Sequence, residues 1–256
     1  MLESSRFFIS ISLFLITLTL IFHFVAMGYP RWKASERRTG SERTITVGIF
    51  QRCENQPISI SSAKNKSYPI CDDNKYIFPG NKNCRESQQS GANLVNHRLC
   101  HQANNPCQCD YSSIAKGLIS CTIIAACTLS LSFLLIFSHI IINPYKYQFH
   151  LYITVVTVFL LLVGLIFIFV ALILLGSSLN YDLYQYHYDL RNRLEEANTQ
   201  QQKDEIRANV TTYAAKDFHT RLDWAAGLEI IALFFTGFTL MIRAIHLVRI
   251  YRNRNV

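Results

Sequence analysis

Four long apolar blocks divide this 256-residue chain, and they constrain its fold more than any other feature of the sequence. Each block contains at least 21 residues and few charges. A helix rises 1.5 Å per residue, so roughly 20 residues cross the ~30 Å hydrocarbon layer of a bilayer. Because backbone polar groups must be paired within lipid, blocks of this length are predicted to be membrane-spanning helices. They cover residues 7–27, 114–142, 151–175 and 224–245.

The first block also has features of a secretory signal. Arg6 precedes it, and Ala26 and Gly28 have the spacing of a cleavage site. The apolar region of a signal is about 7–15 residues long, and this block is longer. We therefore expect an uncleaved first span. Cleavage, the alternative, would leave three spans with the loops on the same sides.

The short segments predict the orientation in the membrane. The link at residues 143–150 carries Lys146, and the tail at residues 246–256 carries three arginines and no acid. Short basic segments stay in the cytoplasm, so we expect this tail and the N-terminal residues 1–6 on the cytoplasmic side. The two long loops are then extracellular, in a multi-pass protein of the plasma membrane.

The two long loops agree with this orientation. The first loop, residues 28–113, exceeds the ~60 residues within which basic side chains set topology, so its own charges carry little weight. A sequon for N-glycosylation lies in each loop, at Asn65 in the first and at Asn209 in the second, residues 176–223. The net charge of +8 therefore reflects topology and a mildly basic outer surface, and it does not suggest a nucleic-acid partner.

The first loop holds six of the eight cysteines, in a compartment that permits disulfides. Its apolar residues are too few for a core of their own. We expect three bridges, each worth on the order of 2–4 kcal/mol, and their pairing stays open. The six are Cys53, Cys71, Cys84, Cys100, Cys107 and Cys109.

A metal site is the alternative use of this region, with ligands from His97, His101, Cys100, Cys107 and Cys109. Their spacing fits no standard zinc pattern, and an oxidising compartment favours disulfides. We therefore predict neither a metal nor another cofactor. No motif brings a nucleophile, a base and a metal set together, so we do not expect an enzyme.

The first loop has one clear strand signal. From Arg43 to Phe50, aliphatic residues (Ile, Val and Ile) alternate with Thr, Thr and Gly. This period of two predicts a strand centred on Val47–Phe50. A weaker candidate covers residues 76–78. The stretch before the strand signal, at residues 33–43, is polar and charged.

The second loop carries two apolar stripes at helical spacing. They predict a helical hairpin that extends from the third and fourth spans. The alternative is a mobile polar loop. The stripes are formed by Leu183, Tyr186, Leu190 and Leu194, and by Ile206, Val210, Tyr213 and Phe218.

One acid, Glu229, lies inside the spans. It is about four residues below the boundary of the fourth span, and His23 lies at a similar depth in the first. Ionisable residues within a membrane are expensive and usually paired or functional. We predict a structural contact between the two side chains, with ion or proton handling as the less favoured role.

The first loop resembles that of the claudin and peripheral myelin protein superfamily. In that family a Trp is followed by Gly-Leu-Trp-x-x-Cys and a further Cys. Here the triplet at residues 48–50 replaces Gly-Leu-Trp with apolar substitutions, and a lysine replaces the basic residue that claudins often carry at the start of span two. The residues that carry the resemblance are Trp32, Gly48, Ile49, Phe50, Cys53 and Lys116.

The resemblance implies an all-α membrane protein, in which a left-handed bundle of four transmembrane helices is capped by a small, disulfide-stapled extracellular β-sheet from the first loop. Three features depart from claudins proper. Cys71 lies farther from Cys53 than the family's second cysteine usually does. The loop has four further cysteines, and the second loop is long.

Two functions are compatible with the resemblance. The first is a structural protein of cell contacts and membrane complexes, which binds membrane proteins, including other copies of itself, through its loops. The second is an auxiliary subunit of an ion channel or receptor. A self-sufficient channel or transporter is disfavoured because the spans contain no internal repeat or broken helix. Further partners are membrane lipids and a PDZ-type domain at Val256, although Arg254 suits that contact poorly.

Overall fold

The computed structural model describes residues 2–37, 44–56, 68–77, 109–141, 147–179, 199–202, 204–205 and 218–254. The chain forms two compact units. The first contains Met1–Met27, Gly117–Leu174 and Ala225–Val256, and the second contains Gly28–Lys116 and Leu175–Trp224.

Four long helices account for the first unit, and each is long and apolar enough to cross a membrane. Three of them are longer than the predicted spans because a helix need not end where its apolar block ends, and the second has the predicted length. The fourth continues through the predicted tail, whose residues up to 254 include no Gly or Pro. The helices are α1 (Leu2–Gly28), α2 (Ser113–Ile141), α3 (Tyr147–Ser177) and α4 (Trp224–Arg254).

Buried residues in these helices recur at alternating steps of three and four. In α1 the stripe contains six residues, of which four are polar or small. This 3.5-residue spacing is that of a left-handed helical bundle with side chains interlocked along one seam. The stripe of α1 contains Ile9, Ser12, Ile16, Thr19, His23 and Ala26, and that of α4 contains Ala225, Glu229, Ala232, Thr236, Thr239, Arg243 and His246.

The interior of the bundle is therefore partly polar, whereas its outside is apolar. Most of the buried hydroxyls donate to the carbonyl four residues earlier in their own helix, as Ser12 does to Phe8 and Thr236 to Ala232. Large apolar side chains face outward, which is the reverse of a water-soluble bundle. Examples are Phe14, Leu134, Phe159 and Phe234.

A five-stranded antiparallel sheet dominates the second unit, with the strand order β4-β3-β2-β1-β7. A separate pair, β5 and β6, is also antiparallel. The strands are β1 (Lys33–Arg37), β2 (Thr44–Val47), β3 (Gln51–Gln56), β4 (Tyr68–Asp73), β5 (Tyr76–Ile77), β6 (Cys109–Asp110) and β7 (Phe218–Leu222).

The predicted strand centred on Val47–Phe50 is placed too far along the chain. β2 ends at Val47, and residues 48–50 form the turn into β3. The turn is closed by Gly48 N, which donates to the Gln51 carbonyl at 2.7 Å, and the amide of Asn74 donates to the Phe50 carbonyl at 2.8 Å. The weaker candidate is confirmed at residues 76–77.

Two further strands lie where we predicted none. The polar, charged stretch after Trp32 contains β1. We predicted that Phe218 lies on a helical stripe, but it begins β7. Its backbone is paired with that of β1 and not within a helix. The other residues of the predicted hairpin stripes, at positions 183–194 and 206–213, lie outside the described part of the chain.

Candidate functional site

The sheet joins the two predicted loops into one structure. β1, from the first loop, pairs along its length with β7, from the second, in the register Lys33 to Leu222 and Arg37 to Phe218. The backbone of Trp32 extends this link, since its amide donates to the Val47 carbonyl and its own carbonyl accepts from Asp223 N, each at 3.0 Å. The two loops therefore contribute to a single surface.

Trp32 is part of the core of this unit. Its side chain is 1% exposed, and the neighbouring β1 residue Ala34 is equally buried. Ile45 and Val47 of β2 are also buried. Its large ring contributes apolar area to loops that contain few other apolar residues.

Gly48 is needed for the turn because the chain passes very close to it. A Cβ at this position would lie 2.4 Å from Pro30 Cα and 3.0 Å from the Tyr29 carbonyl oxygen. Ile49 is buried, at 1% exposure, and Phe50 is half-buried. The triplet that resembles the family motif is thus a turn seated against the beginning of the first loop.

We expect Gly48→Ala to lower the free energy of unfolding of this unit by about 1–3 kcal/mol, since overpacking forces the backbone to shift. Thermal unfolding of the purified protein measures the change. Gly176→Ala is the matched control, because a Cβ there meets nothing within 4 Å. Equal melting temperatures for the two variants would contradict the role of Gly48.

A disulfide joins Cys53 to Cys71. The two residues lie directly opposite each other on β3 and β4, and Cys53 is buried. Cys109 begins β6 and pairs with Ile77. The remaining disulfide candidates, Cys84, Cys100 and Cys107, lie outside the described residues, as do the alternative metal ligands His97 and His101.

Lys33 anchors β1 to the segment after α3, a contact that the sequence does not indicate. Its side chain is 5% exposed, and Nζ donates to the carbonyl and the hydroxyl oxygen of Ser178, at 2.7 and 2.8 Å. The alternating burial that reveals β2 is missing here, because Lys33, Ala34 and Ser35 are all buried. The first three residues of β1 are therefore covered on both faces.

The exposed edge of the sheet carries ion pairs and aromatic rings. Arg221 Nη2 of β7 lies 2.8 Å from Glu36 Oε1 of β1, and both side chains are about half exposed. Arg31 pairs with Asp223 at 2.9 Å, and the rings of Tyr29 and Trp224 have centroids 4.4 Å apart. These groups form the accessible, charged part of the surface that both loops share.

Lys116 is exposed in the first turn of α2, which is capped by Ser112, whose hydroxyl accepts from Ala115 N at 3.2 Å. The sequons at Asn65 and Asn209 lie outside the described residues.

His23 and Glu229 meet inside the bundle, as the sequence predicted. His23 Nδ1 lies 2.8 and 2.9 Å from the two carboxyl oxygens, and both side chains are 0% exposed. His23 Nε2 donates to the Thr122 carbonyl at 3.1 Å, since a carbonyl only accepts. Nε2 therefore carries a proton, and the pair is neutral whether the second proton lies on Nδ1 or on Glu229.

Sequence reasoning missed Arg243, which is fully buried at the opposite end of α4 from Glu229. Its Nη2 donates to His139 Nδ1 at 3.1 Å. A signal was available, because an arginine within an apolar block is as notable as an acid.

Comparison with known proteins finds neither a family model nor a curated protein that matches this chain.

Proposed function

We propose that this protein is a divergent member of the claudin and peripheral myelin protein superfamily. It acts through its extracellular loops in cell contact and in the organisation of membrane complexes. The observation that carries the proposal is the pairing of β1 with β7, which builds both loops into one sheet. The Trp32 core, the Gly48 turn and the Cys53–Cys71 bridge, which lie on the residues of the resemblance, support it further.

A sheet of this kind suits recognition because it loses little entropy on binding. Its strands are paired and cross-linked before a partner arrives, so few groups must be ordered at that moment. The exposed pair of Arg221 and Glu36 contributes about 0.2–1 kcal/mol to folding. Both side chains can therefore turn to a partner with little loss of stability.

The proposed location is the plasma membrane, with both termini in the cytoplasm. Four helices of spanning length support membrane insertion, and the sequons at Asn65 and Asn209 support the orientation. Enzymatic deglycosylation of the protein from cells should increase its electrophoretic mobility. An Asn65→Gln and Asn209→Gln double variant is the control that should show no change. Unchanged mobility of the wild-type protein would remove this support for the orientation.

The function is tested by mixing cells that express the tagged protein with cells that do not. We expect enrichment where two expressing cells touch. Arg221→Glu, a charge reversal on the exposed sheet, should remove most of it, whereas Arg252→Glu, the same reversal at the far end of α4, should not. A protein spread evenly over touching and isolated membranes would refute a role in homotypic contact.

An auxiliary subunit of a channel or receptor is the second candidate. The observation that favours it is an open apolar groove of about 510 Å³ between α3 and α4, where a transmembrane segment of a partner could lie. Purification in mild detergent should then yield a stoichiometric complex with a pore-forming protein, and Gly237→Phe should abolish it. The groove is lined by Leu165, Ile166, Phe169, Leu233, Phe234, Gly237, Phe238 and Met241.

A further inference from the structure

Arg243 is a buried charge whose hydrogen bonds are incomplete. Its side chain is 0% exposed on the interior stripe of α4. Nη2 donates to His139, but Nε and Nη1 have no hydrogen-bond partner in the described part of the chain. Burial of a guanidinium is strongly unfavourable unless the group is paired and hydrogen-bonded, so Arg243 calls for an acceptor in addition to His139.

Three histidines surround Arg243, and none can supply the missing charge. The rings of His139 and His150 stack with centroids 4.5 Å apart, and His246 lies 5.8 Å from His139. A guanidinium has only donors, so His139 Nδ1 accepts the bond, and this ring carries its proton on Nε2. A histidine is neutral or positive, so the cluster has an excess of positive charge.

Among the side chains that the structure describes, no carboxylate of the four helices lies close to Arg243. Their sequences contain two acids, Glu3 and Glu229. Glu229 lies about 21 Å away by helix rise and already contacts His23. The ring of Phe8 lies 6.3 Å from that of His246, which places these two residues at the same level of the bundle. Glu3 lies five residues before Phe8, and Arg243 lies three residues before His246. By helix rise, the Cα atoms of Glu3 and Arg243 are therefore about 12 Å apart along the bundle axis. The described side chains of these helices therefore give Arg243 no anionic partner.

We propose that this cluster is a binding site for a phosphate group. The planar guanidinium donates in a geometry that matches phosphate oxygens, and imidazole N–H groups add donors. The half-buried ring of His150 gives the cluster access to the surface of the bundle. Farther along α4, Arg249 and Arg252 keep this end basic, with no acid after Glu229.

A cation is excluded from the same place by electrostatics. The guanidinium repels a metal ion and occupies Nδ1 of His139 with its own hydrogen bond. The described residues also contain no group of three side chains that could hold a metal ion. The ligand is therefore anionic, and it comes either from the headgroup of an anionic phospholipid or from inorganic phosphate.

The test uses the full-length protein and two probes. In neutral detergent, inorganic phosphate is titrated against chloride at equal ionic strength, and the melting temperature is recorded. In nanodiscs, phosphatidylcholine is compared with phosphatidylcholine that contains phosphatidic acid. We expect a phosphate-specific rise of the melting temperature in at least one of the two experiments. A rise with inorganic phosphate identifies the free ion as a ligand, and a rise with phosphatidic acid alone identifies the lipid.

Variants assign the effect to the cluster. Arg243→Gln should weaken binding of the active probe by about tenfold to a hundredfold, the effect of losing hydrogen bonds from a charged group. Arg252→Gln, with the same change of charge at an exposed position, should bind like the wild type. If Arg243→Gln does not fold, His150→Phe, which keeps the ring stack but removes a donor, should weaken binding several-fold.

Two results would overturn the proposal. One is the absence of a phosphate-specific rise in both arms for the wild type. The other is binding of the active probe by Arg243→Gln, or by His150→Phe where that variant replaces it, with wild-type affinity.

Discussion

Replacing Glu229 with Leu is expected to lower the free energy of unfolding of the bundle by about 3 kcal/mol, the low end of the range for breaking a buried ion pair. The value lies at the low end because His23 can lose its second proton and become neutral. His23 Nδ1 would still be buried without a partner, while Nε2 keeps its bond to the Thr122 carbonyl. Unfolding in mixed micelles measures the loss.

Glu229→Gln separates charge from hydrogen bonding at the same position. The amide can donate to an unprotonated Nδ1 while His23 Nε2 still donates to the carbonyl, so both ring nitrogens of His23 stay hydrogen-bonded. We expect a loss of less than about 1 kcal/mol for this variant. A loss as large as that of Glu229→Leu would show that the negative charge itself is required.

The coupling between the two residues is measured by a double-mutant cycle with His23→Leu. Residues in direct contact should show a coupling energy of about 0.5–3 kcal/mol. Thr19→Val, on the same stripe of α1, is the control, because its hydroxyl bonds only within its own helix, to the Leu15 carbonyl. Purely additive losses from His23 and Glu229 would contradict the contact between them.

Removing the bridge with a Cys53→Ser and Cys71→Ser double variant should destabilise the sheet unit by about 2–4 kcal/mol. The bridge joins adjacent strands across a sequence separation of 18 residues, so it restricts the unfolded chain. Hydrogen exchange at β3 and β4 should therefore accelerate strongly, while exchange in the four helices changes little. Loss of the protein from the cell surface is the expected consequence in cells.

Cys121→Ser is the matched control for this prediction, since Cys121 is a free cysteine within α2. It should leave both exchange and surface delivery unchanged. Non-reducing peptide mapping provides the direct check, and it should recover a peptide pair that links Cys53 to Cys71. A free thiol at Cys53 in protein from native membranes would rule out the bridge.

The helices could be predicted because they depend on one local property, the length of an uninterrupted apolar block. A block of more than 20 apolar residues has few alternatives to a spanning helix, whatever its neighbours are. The contact between His23 and Glu229 was predictable for a related reason. A buried acid needs a partner, and only a few polar side chains lie at its depth.

The sheet was less predictable because its pairing is not local. The run Lys-Ala-Ser-Glu-Arg in β1 has weak strand propensity, and its partner β7 is contributed by the other loop, with Ser35 and Thr220 separated by 185 residues. Single-strand periodicity identified β2 because one side of it is buried and the other is not. β1, whose first three residues are covered on both faces, shows no such alternation.

The sequence by itself determined four spanning-length helices, a strand signal beside Cys53 and an acid that required a partner. The sequence is sufficient for these features because each depends on local composition or on the cost of burying a charge. Only the tertiary structure decided that Cys71 is the partner of Cys53, that the second loop supplies β7, and that Arg243 lies among histidines, with no acid beside it in the described part of the chain. Those outcomes depend on which distant segments the chain brings together, and linear spacing does not encode that choice.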